Sequence, residues 1–247
     1  MINVCFAGVT GWTAPPIIAA IESAQDLALT AGVSRSAAGQ SLAAKTGSTS
    51  TGSIHATVQQ ALDSAQVDVL VDYTSASAVK DNVWAAVEAG VHVVVGSSGL
   101  TGTDYTELDR LARDRSVGVI AAGNFSVMAA VLRRAAAMAA QHLDHWEIID
   151  YASDDKPDVP SGTSRELAET LAQVRQPKIT VALADLQTEI VFGGPGERLV
   201  MRHDPGLTPD PYVAGTLLAI RRVADVVVVR RGLDSLLFDG PGQSNAG

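Results

Sequence analysis

The stretch Ile2-Asn3-Val4-Cys5-Phe6-Ala7-Gly8-Val9-Thr10-Gly11-Trp12-Thr13-Ala14 decides how this chain folds. Ile2 to Ala7 is a short, mostly apolar run that predicts a buried strand. Two glycines follow at once. Thr13 to Ser23 then predicts a helix, with Pro15 and Pro16 tolerable in its first turn. Strand, glycine turn and helix N-terminus in this order match the dinucleotide fingerprint. Ala14 takes the third glycine's place, which serves helix–strand packing. Gly8 permits the tight turn, and small residues let a pyrophosphate reach the amides of the helix N-terminus. Gly8, Thr10, Gly11, Trp12 and Thr13 are therefore expected to contact a dinucleotide.

Outward from this loop, Leu27–Val33, Val67–Tyr73, His92–Val95 and Val117–Ala122 predict further buried strands. Helices are predicted over Val58–Ala65, Ala76–Ala89 and Asp104–Arg113, and a short helix plus loop between Ser34 and Gly52. Such alternation implies α/β architecture with a doubly wound parallel sheet. The pattern changes after Ala122. A long helix over Val127–Gln141 precedes a strand at His145–Ala152 and a helix from Ser164 to about Val174. Strands at Ile179–Leu183, Thr188–Phe192 and Glu197–Arg202 follow, which suits a smaller α+β second domain. Tyr212–Val223 predicts a last helix and Val226–Val229 a short strand.

Composition agrees with a packed α/β protein. Hydrophobic residues make up 47% and aromatics only 4%, so Ala and Val fill the core. The formal net charge of −9 disfavours nucleic-acid binding. No apolar run approaches the roughly 18 residues of a membrane span, and no secretory leader pattern is present. Cys5, the one cysteine, reads as a small core residue. The expected setting is a reducing cytoplasm. No His, Cys and Asp cluster has metal-ligand spacing.

The second strand ends Gly32-Val33-Ser34-Arg35. An acidic residue here would accept the 2′-hydroxyl of NAD. Ser34 and Arg35 suit a 2′-phosphate instead, so NADPH is the expected cofactor, with NADH as the alternative. Other loops at strand carboxyl ends are Tyr73-Thr74-Ser75, Gly96-Ser97-Ser98-Gly99 and Gly123-Asn124-Phe125-Ser126. The first two suit a position beneath a nicotinamide ring, and the third marks the switch between the two halves. Further on, Lys156-Pro157-Asp158-Val159-Pro160-Ser161-Gly162-Thr163 places a lysine and hydroxyls at a helix N-terminus, a ready anion site. Thr163-Ser164-Arg165-Glu166 also fits a capping box.

Taken together, these segments resemble the 4-hydroxy-tetrahydrodipicolinate (dihydrodipicolinate) reductase family over nearly the whole chain. The most specific matches are Ala122 to Ser126, for the family's A-x-N-F-S, and the Lys156…Pro160-Ser161-Gly162-Thr163 segment. The resemblance implies hydride transfer to a small cyclic dicarboxylate and a homotetramer assembled through the substrate domains. It implies a dinucleotide-binding domain of residues 1–125 and 214–240, and a substrate and oligomerisation domain with a mixed sheet at 126–213. Residues 241–247 read as a loose tail.

The chain departs from the family where chemistry is concentrated. The family's E-x-H-H-x-x-K-x-D-x-P-S-G-T becomes Asp150 to Thr163, with Ala152 and Ser153 at the two histidines. The first of these is the family's proposed proton donor. Lys156 is retained as the candidate catalytic residue, and Ser161, Gly162 and Thr163 can hold one carboxylate. Asp154 and Asp155 add negative charge that favours an amine or iminium over a dianion. His203 is kept, without the arginine that follows it in the family, and makes a candidate replacement donor along with His145. Trp12 stands where the family favours a basic residue. The expected activity is NADPH-dependent reduction of a small carboxylated imine. The alternatives are a true lysine-pathway reductase with a substitute acid, and a catalytically silent nucleotide-binding protein.

Overall fold

The computed structural model describes residues 1–152, 159–175, 178–183 and 187–238. In chain order the first half runs β1 (Ile2–Ala7), α1 (Ala14–Ser23), β2 (Leu27–Val33), α2 (Leu42–Thr46), β3 (Ile54–His55), α3 (Val58–Ser64), β4 (Val69–Asp72) and α4 (Val79–Glu88). It continues with β5 (His92–Val95), α5 (Gly102–Arg115) and β6 (Val119–Ala121). The second half runs α6 (Val127–Ala140), β7 (His145–Ala152), α7 (Gly162–Ala172), β8 (Lys178–Leu183), β9 (Gln187–Gly194), β10 (Glu197–His203), α8 (Val213–Arg222), β11 (Val229–Arg231) and α9 (Asp234–Phe238).

Two sheets result. The first has seven parallel strands in the order β11-β6-β5-β4-β1-β2-β3. Short β-branched strands suit it because helices cover both faces, so each strand is apolar throughout. Two buried clusters lie on its opposite faces. One gathers Phe6, Ile17, Ile21 and Ile120, the other Leu70, Val83, Val93 and Leu108. The second sheet is mixed, in the order β10-β9-β7-β8, with β7 and β8 parallel and the other pairs antiparallel. Ile148, Ile190 and Phe192 project from it against Leu132 of α6 and Leu167 and Leu171 of α7.

Strand order reverses between β1 and β4, the place where open α/β sheets bind ligands. The predicted strands at Leu27–Val33, His92–Val95 and His145–Ala152 coincide with β2, β5 and β7. The expected strand at Val226–Val229 is displaced. Val226 follows a short 3-10 turn and turns into the first core, while Val229, Arg230 and Arg231 pair with β6. Two arginines hid this segment from a hydrophobic reading, yet charge on an edge strand is ordinary because it discourages further pairing. The predicted capping box is also corrected. The N-cap of α7 is Ser161, whose oxygen accepts from Ser164 N, and Glu166 points elsewhere. Among the described residues no helix is long and apolar enough to cross a membrane.

Candidate active site

The glycine loop folds as its residues dictate. Gly8 takes a φ of +93°, and a Cβ there would run into the Tyr73 carbonyl. Gly11 N then donates to the Gly8 carbonyl at 2.8 Å, closing the turn below α1. Thr10 Oγ1 meets Ser34 Oγ at 3.0 Å, and Ser34 Oγ meets Ser36 Oγ at 3.2 Å. These hydroxyls and the exposed Arg35 edge a cleft of about 720 Å³, which Tyr73, Thr74 and Asn82 bound on the other side. The bare backbone at Gly8 and Gly11 and the hydroxyl–arginine rim fit the phosphates of a dinucleotide, while the first turn of α1, with Pro15 and Pro16, adds no free N–H there. Gly8, Thr10, Gly11, Ser34, Arg35, Tyr73 and Thr74 therefore come together as the sequence predicts.

The remaining predicted cofactor residues sit differently. Ser97 splints the loops. Its Oγ donates to Asp72 Oδ1 at 2.5 Å and accepts from Thr74 N at 2.7 Å. Asp72, wholly buried at the end of β4, also accepts from Thr74 Oγ1 and Asn82 Nδ2. Gly96 lies against the Tyr73 ring, where no side chain fits. Ser98 and Gly99 are exposed beyond the cleft, Gly99 against Ala76. Phe125 is buried and meets Tyr73 edge-on at 6.0 Å, so it supports the cleft wall from behind. Thr13 precedes α1 without a side-chain cap. Trp12 is 59% exposed and meets Tyr212 edge-on at 6.3 Å, away from the large cleft.

Tyr212 lines a second, smaller pocket of about 110 Å³, with Asn124, Gly162, Thr163, Thr188 and His203. It lies where the first sheet's last loop meets the N-terminus of α7. Gly123 and Gly162 touch here: a Cβ on Gly162 would stand 3.1 Å from the Gly123 carbonyl oxygen. Asn124 Nδ2 donates to Thr163 Oγ1 at 2.9 Å, while its Oδ1 accepts from Ser126 N at 2.7 Å. Thr163 thus keeps its hydroxyl proton for another acceptor. Ser161 does not. Its N–H and Oγ donate to Asp150 Oδ2 and Oδ1 at 2.6 Å each, and Ser164 Oγ adds a third bond at 2.7 Å. The buried Asp150 carboxylate already occupies that end of the anion site. What α7 offers a ligand is the first amides, at Gly162 and Thr163, and the Thr163 hydroxyl.

The two pockets are coupled through α8. Thr216 Oγ1 donates to the Tyr212 carbonyl at 2.8 Å, so the Tyr73 hydroxyl donates to Thr216 Oγ1 at 2.7 Å. Burial pushes both tyrosine hydroxyls above their ordinary pKa, so both stay protonated. His203 Nε2 meets Ser126 Oγ at 3.3 Å, and burial holds the imidazole below its ordinary pKa, against the opposing pull of Asp204. Lys156, Asp155 and Asp154 lie outside the described residues.

Residues to which the sequence reading gave no role organise this site: Asp72, Asp150, Ser126, Thr188 and Tyr212. Asp72 left a signal, an acid closing the apolar run Val69-Leu70-Val71. Asp150 and Thr188 meet only when the second sheet brings β7 and β9 into register, and Ser126 and Tyr212 join the site from the turns that open α6 and α8.

A parallel sheet with a glycine loop at its switch point, and a second sheet that closes a small polar pocket beside it, define an oxidoreductase of Rossmann type. Comparison with known proteins makes this specific. The family described as "Dihydrodipicolinate reductase, N-terminus" matches residues 2–125, and "Dihydrodipicolinate reductase, C-terminus" matches residues 125–231. The 4-hydroxy-tetrahydrodipicolinate reductase of Synechococcus elongatus is 33% identical, over 96% of this chain and 98% of its own. The enzyme of that name from Thermosynechococcus vestitus is 32% identical, over 96% and 97%. The fold matches a dipicolinate-bound dihydrodipicolinate reductase from Paenisporosarcina sp. with a TM-score of 0.77 at 21% identity, covering 95% of this chain and 99% of that one. It also matches GenD2 from gentamicin A biosynthesis, in complex with NAD, with a TM-score of 0.67 at 14% identity, over 96% and 90%. The chain belongs to the dihydrodipicolinate reductase family.

Proposed function

We propose that this chain is an NADPH-dependent reductase acting on a small imine that bears one carboxylate. One observation carries the reading: the N-terminus of α7 offers two amides and the Thr163 hydroxyl to an anion, at a pocket of about 110 Å³ beside the dinucleotide cleft. Asp150 occupies the Ser161 side of that terminus, so there is room for one carboxylate and not for a spread of anionic groups. Gly8, Thr10 and Gly11 would hold the cofactor's pyrophosphate, and Ser34 and Arg35 its 2′-phosphate. When bound, a reduced nicotinamide supplies a hydride. Lys156 is assigned the role of acid or carboxylate anchor by its place in the family motif.

Full-length likeness to enzymes named 4-hydroxy-tetrahydrodipicolinate reductase supports a second reading, reduction of that dicarboxylate with a substitute acid. The deciding experiment follows NADPH oxidation by purified protein with freshly generated 4-hydroxy-tetrahydrodipicolinate, beside a panel of monocarboxylated cyclic imines, each with a Lys156→Ala control. Lysine-dependent turnover of a monocarboxylate alone is the expected result. Efficient turnover of the dicarboxylate replaces it with the second reading. NADPH binding without turnover anywhere makes the chain a silent nucleotide-binding protein.

We also infer assembly into a homotetramer through the second sheet, supported by Leu199 and Val200, which are 44% and 42% exposed on the edge strand β10. Light scattering on the purified protein tests this, and a monomeric mass would refute it.

A further inference from the structure

His203 ends β10 and stands opposite Thr188 of β9, which in turn stands opposite Asp150 of β7. One row across the second sheet therefore carries three polar residues, 7%, 4% and 0% exposed respectively. Two of them are internally satisfied. Asp150 accepts three hydrogen bonds from Ser161 and Ser164, and Thr188 Oγ1 shares a hydrogen with Ser164 Oγ at 3.3 Å. His203 is different. Its Nε2 is engaged by Ser126 Oγ, whereas its Nδ1 has no partner among the described residues, and the ring lines the small pocket beside Gly162 and Thr163. A ring with one nitrogen fixed and the other unpaired, beside an anion-binding helix terminus, is arranged for proton transfer.

We propose that His203 is the proton donor of this site, giving its Nδ1 proton to the imine nitrogen while Ser126 holds Nε2. The inference rests on the reductase reading above. The imine carbon gains the hydride supplied by a reduced nicotinamide dinucleotide, which is thereby oxidised. The C=N π pair moves to nitrogen, and nitrogen takes the proton from Nδ1. The product is the amine. Neutral His203 is left with its Nε2–H still donated to Ser126 Oγ, and solvent restores the Nδ1 proton. Burial holds the free ring below its ordinary pKa, and a substrate carboxylate together with Asp204 works against that burial during turnover. A substrate carboxylate on Gly162 and Thr163 would lie in the same pocket, and Asp204 is the next residue, paired with Arg202. Tyr212 lines the same pocket as a neutral phenol. The family resemblance already made His203 a candidate donor, but nothing in its spacing linked it to Thr163, some forty residues earlier; the second sheet makes that link.

The test compares two substrates, 1-pyrroline-2-carboxylate and its N-methyl iminium analogue, whose nitrogen has no proton to receive. For His203→Gln, kcat on the imine is expected to fall about a hundredfold or more, the usual weight of a general acid, with the N-methyl iminium reduced at the wild-type rate. Ser126→Ala, which frees the ring but keeps it, should show a smaller loss confined to the imine. Equal losses on both substrates would make His203 merely structural, and full activity on both would make it dispensable. Either result overturns the proposal while the reductase reading stands. A wild-type protein inert to both substrates and to every other monocarboxylated imine overturns the monocarboxylate reading on which this inference rests, and the inference with it. Independently of turnover, pyridine-2-carboxylate added to 15N-histidine-labelled protein should move the His203 Nδ1 resonance. An unmoved resonance contradicts contact between ring and ligand.

Discussion

A hydrogen atom in place of a methyl group decides whether the glycine loop closes. Gly8 combines a positive φ with a backbone approach that leaves no space for Cβ against the Tyr73 carbonyl. Gly8→Ala is expected to weaken NADPH binding by at least about tenfold, read by fluorescence titration, and to lower the melting temperature, because strain of about 1–3 kcal/mol falls on the β1–α1 turn. A second residue-scale prediction concerns pH. His92 Nδ1 accepts from Gly118 N at 2.9 Å, and burial holds its pKa below the ordinary 6.5, against the pull of Asp68. The folded state binds this proton more weakly than the unfolded chain does. The stability so gained is complete above about pH 6.5 and is lost as pH falls toward the depressed value. His203 acts in the same direction. Glu166, raised by burial, acts oppositely, losing stability as pH rises above the ordinary carboxylate range. Melting temperature should therefore drop between about pH 7.5 and about pH 5.5, and His92→Asn, which keeps an acceptor at the δ position, should drop less. An equal drop in the variant would remove His92 from the account. Gly8, Gly11, Ser34 and Arg35 were legible because fixed spacing after a strand carries their meaning. Ser161 lines the small pocket as expected, but where its hydrogen bonds go was not legible, because the acid that accepts them, Asp150, lies eleven residues away and meets it only in the folded protein.

Helix α7 is the element on which the site depends, and two acids fix it. Asp150 holds its N-terminus from the second sheet. Glu166, one turn in, accepts from Gly123 N at 2.7 Å and from Arg133 of α6 at 3.0 Å, and Arg133 also pairs with Asp234 of α9. The helix is thus pinned to the last loop of the first sheet and to α9. Arg133→Met leaves two half-buried carboxylates without their shared cation, and a loss of stability of up to about 3 kcal/mol is expected in urea unfolding, since Glu166 keeps its bond from Gly123 N. A double variant with Glu166→Gln should recover part of it, since the amide leaves no unpaired charge. A purely additive double variant would show that the pair does not couple. At this scale the sequence was a good guide where an element is apolar and uninterrupted, as in β1, β2, β5 and β7. It failed at β11, whose arginines belong to an edge, and at the two-residue β3, too short to leave a pattern.

For the molecule as a whole, the distribution of work between its two sheets makes cofactor and substrate preference separable. Arg35 lies on the rim of the large cleft and has no part in the small pocket. Arg35→Ala should raise KM for NADPH roughly tenfold while leaving NADH nearly unchanged, with substrate KM unaffected. Equal effects on both cofactors would remove the arginine from 2′-phosphate recognition. The two-sheet plan was visible in the change of pattern after Ala122, but not the way the chain returns: β11 pairs with β6, and Ala219, Ile220, Val223 and Leu233 complete a core that β1 and α1 began. During synthesis on the ribosome, the first sheet therefore emerges unfinished. Its β6 edge and one greasy face stay uncovered while the whole second sheet is being translated, and only the last thirty or so residues seal them. A nascent chain of this architecture carries that face uncovered from the completion of β6 until α8 and β11 are made, and a message cut short near residue 210 would yield a product that exposes it for good.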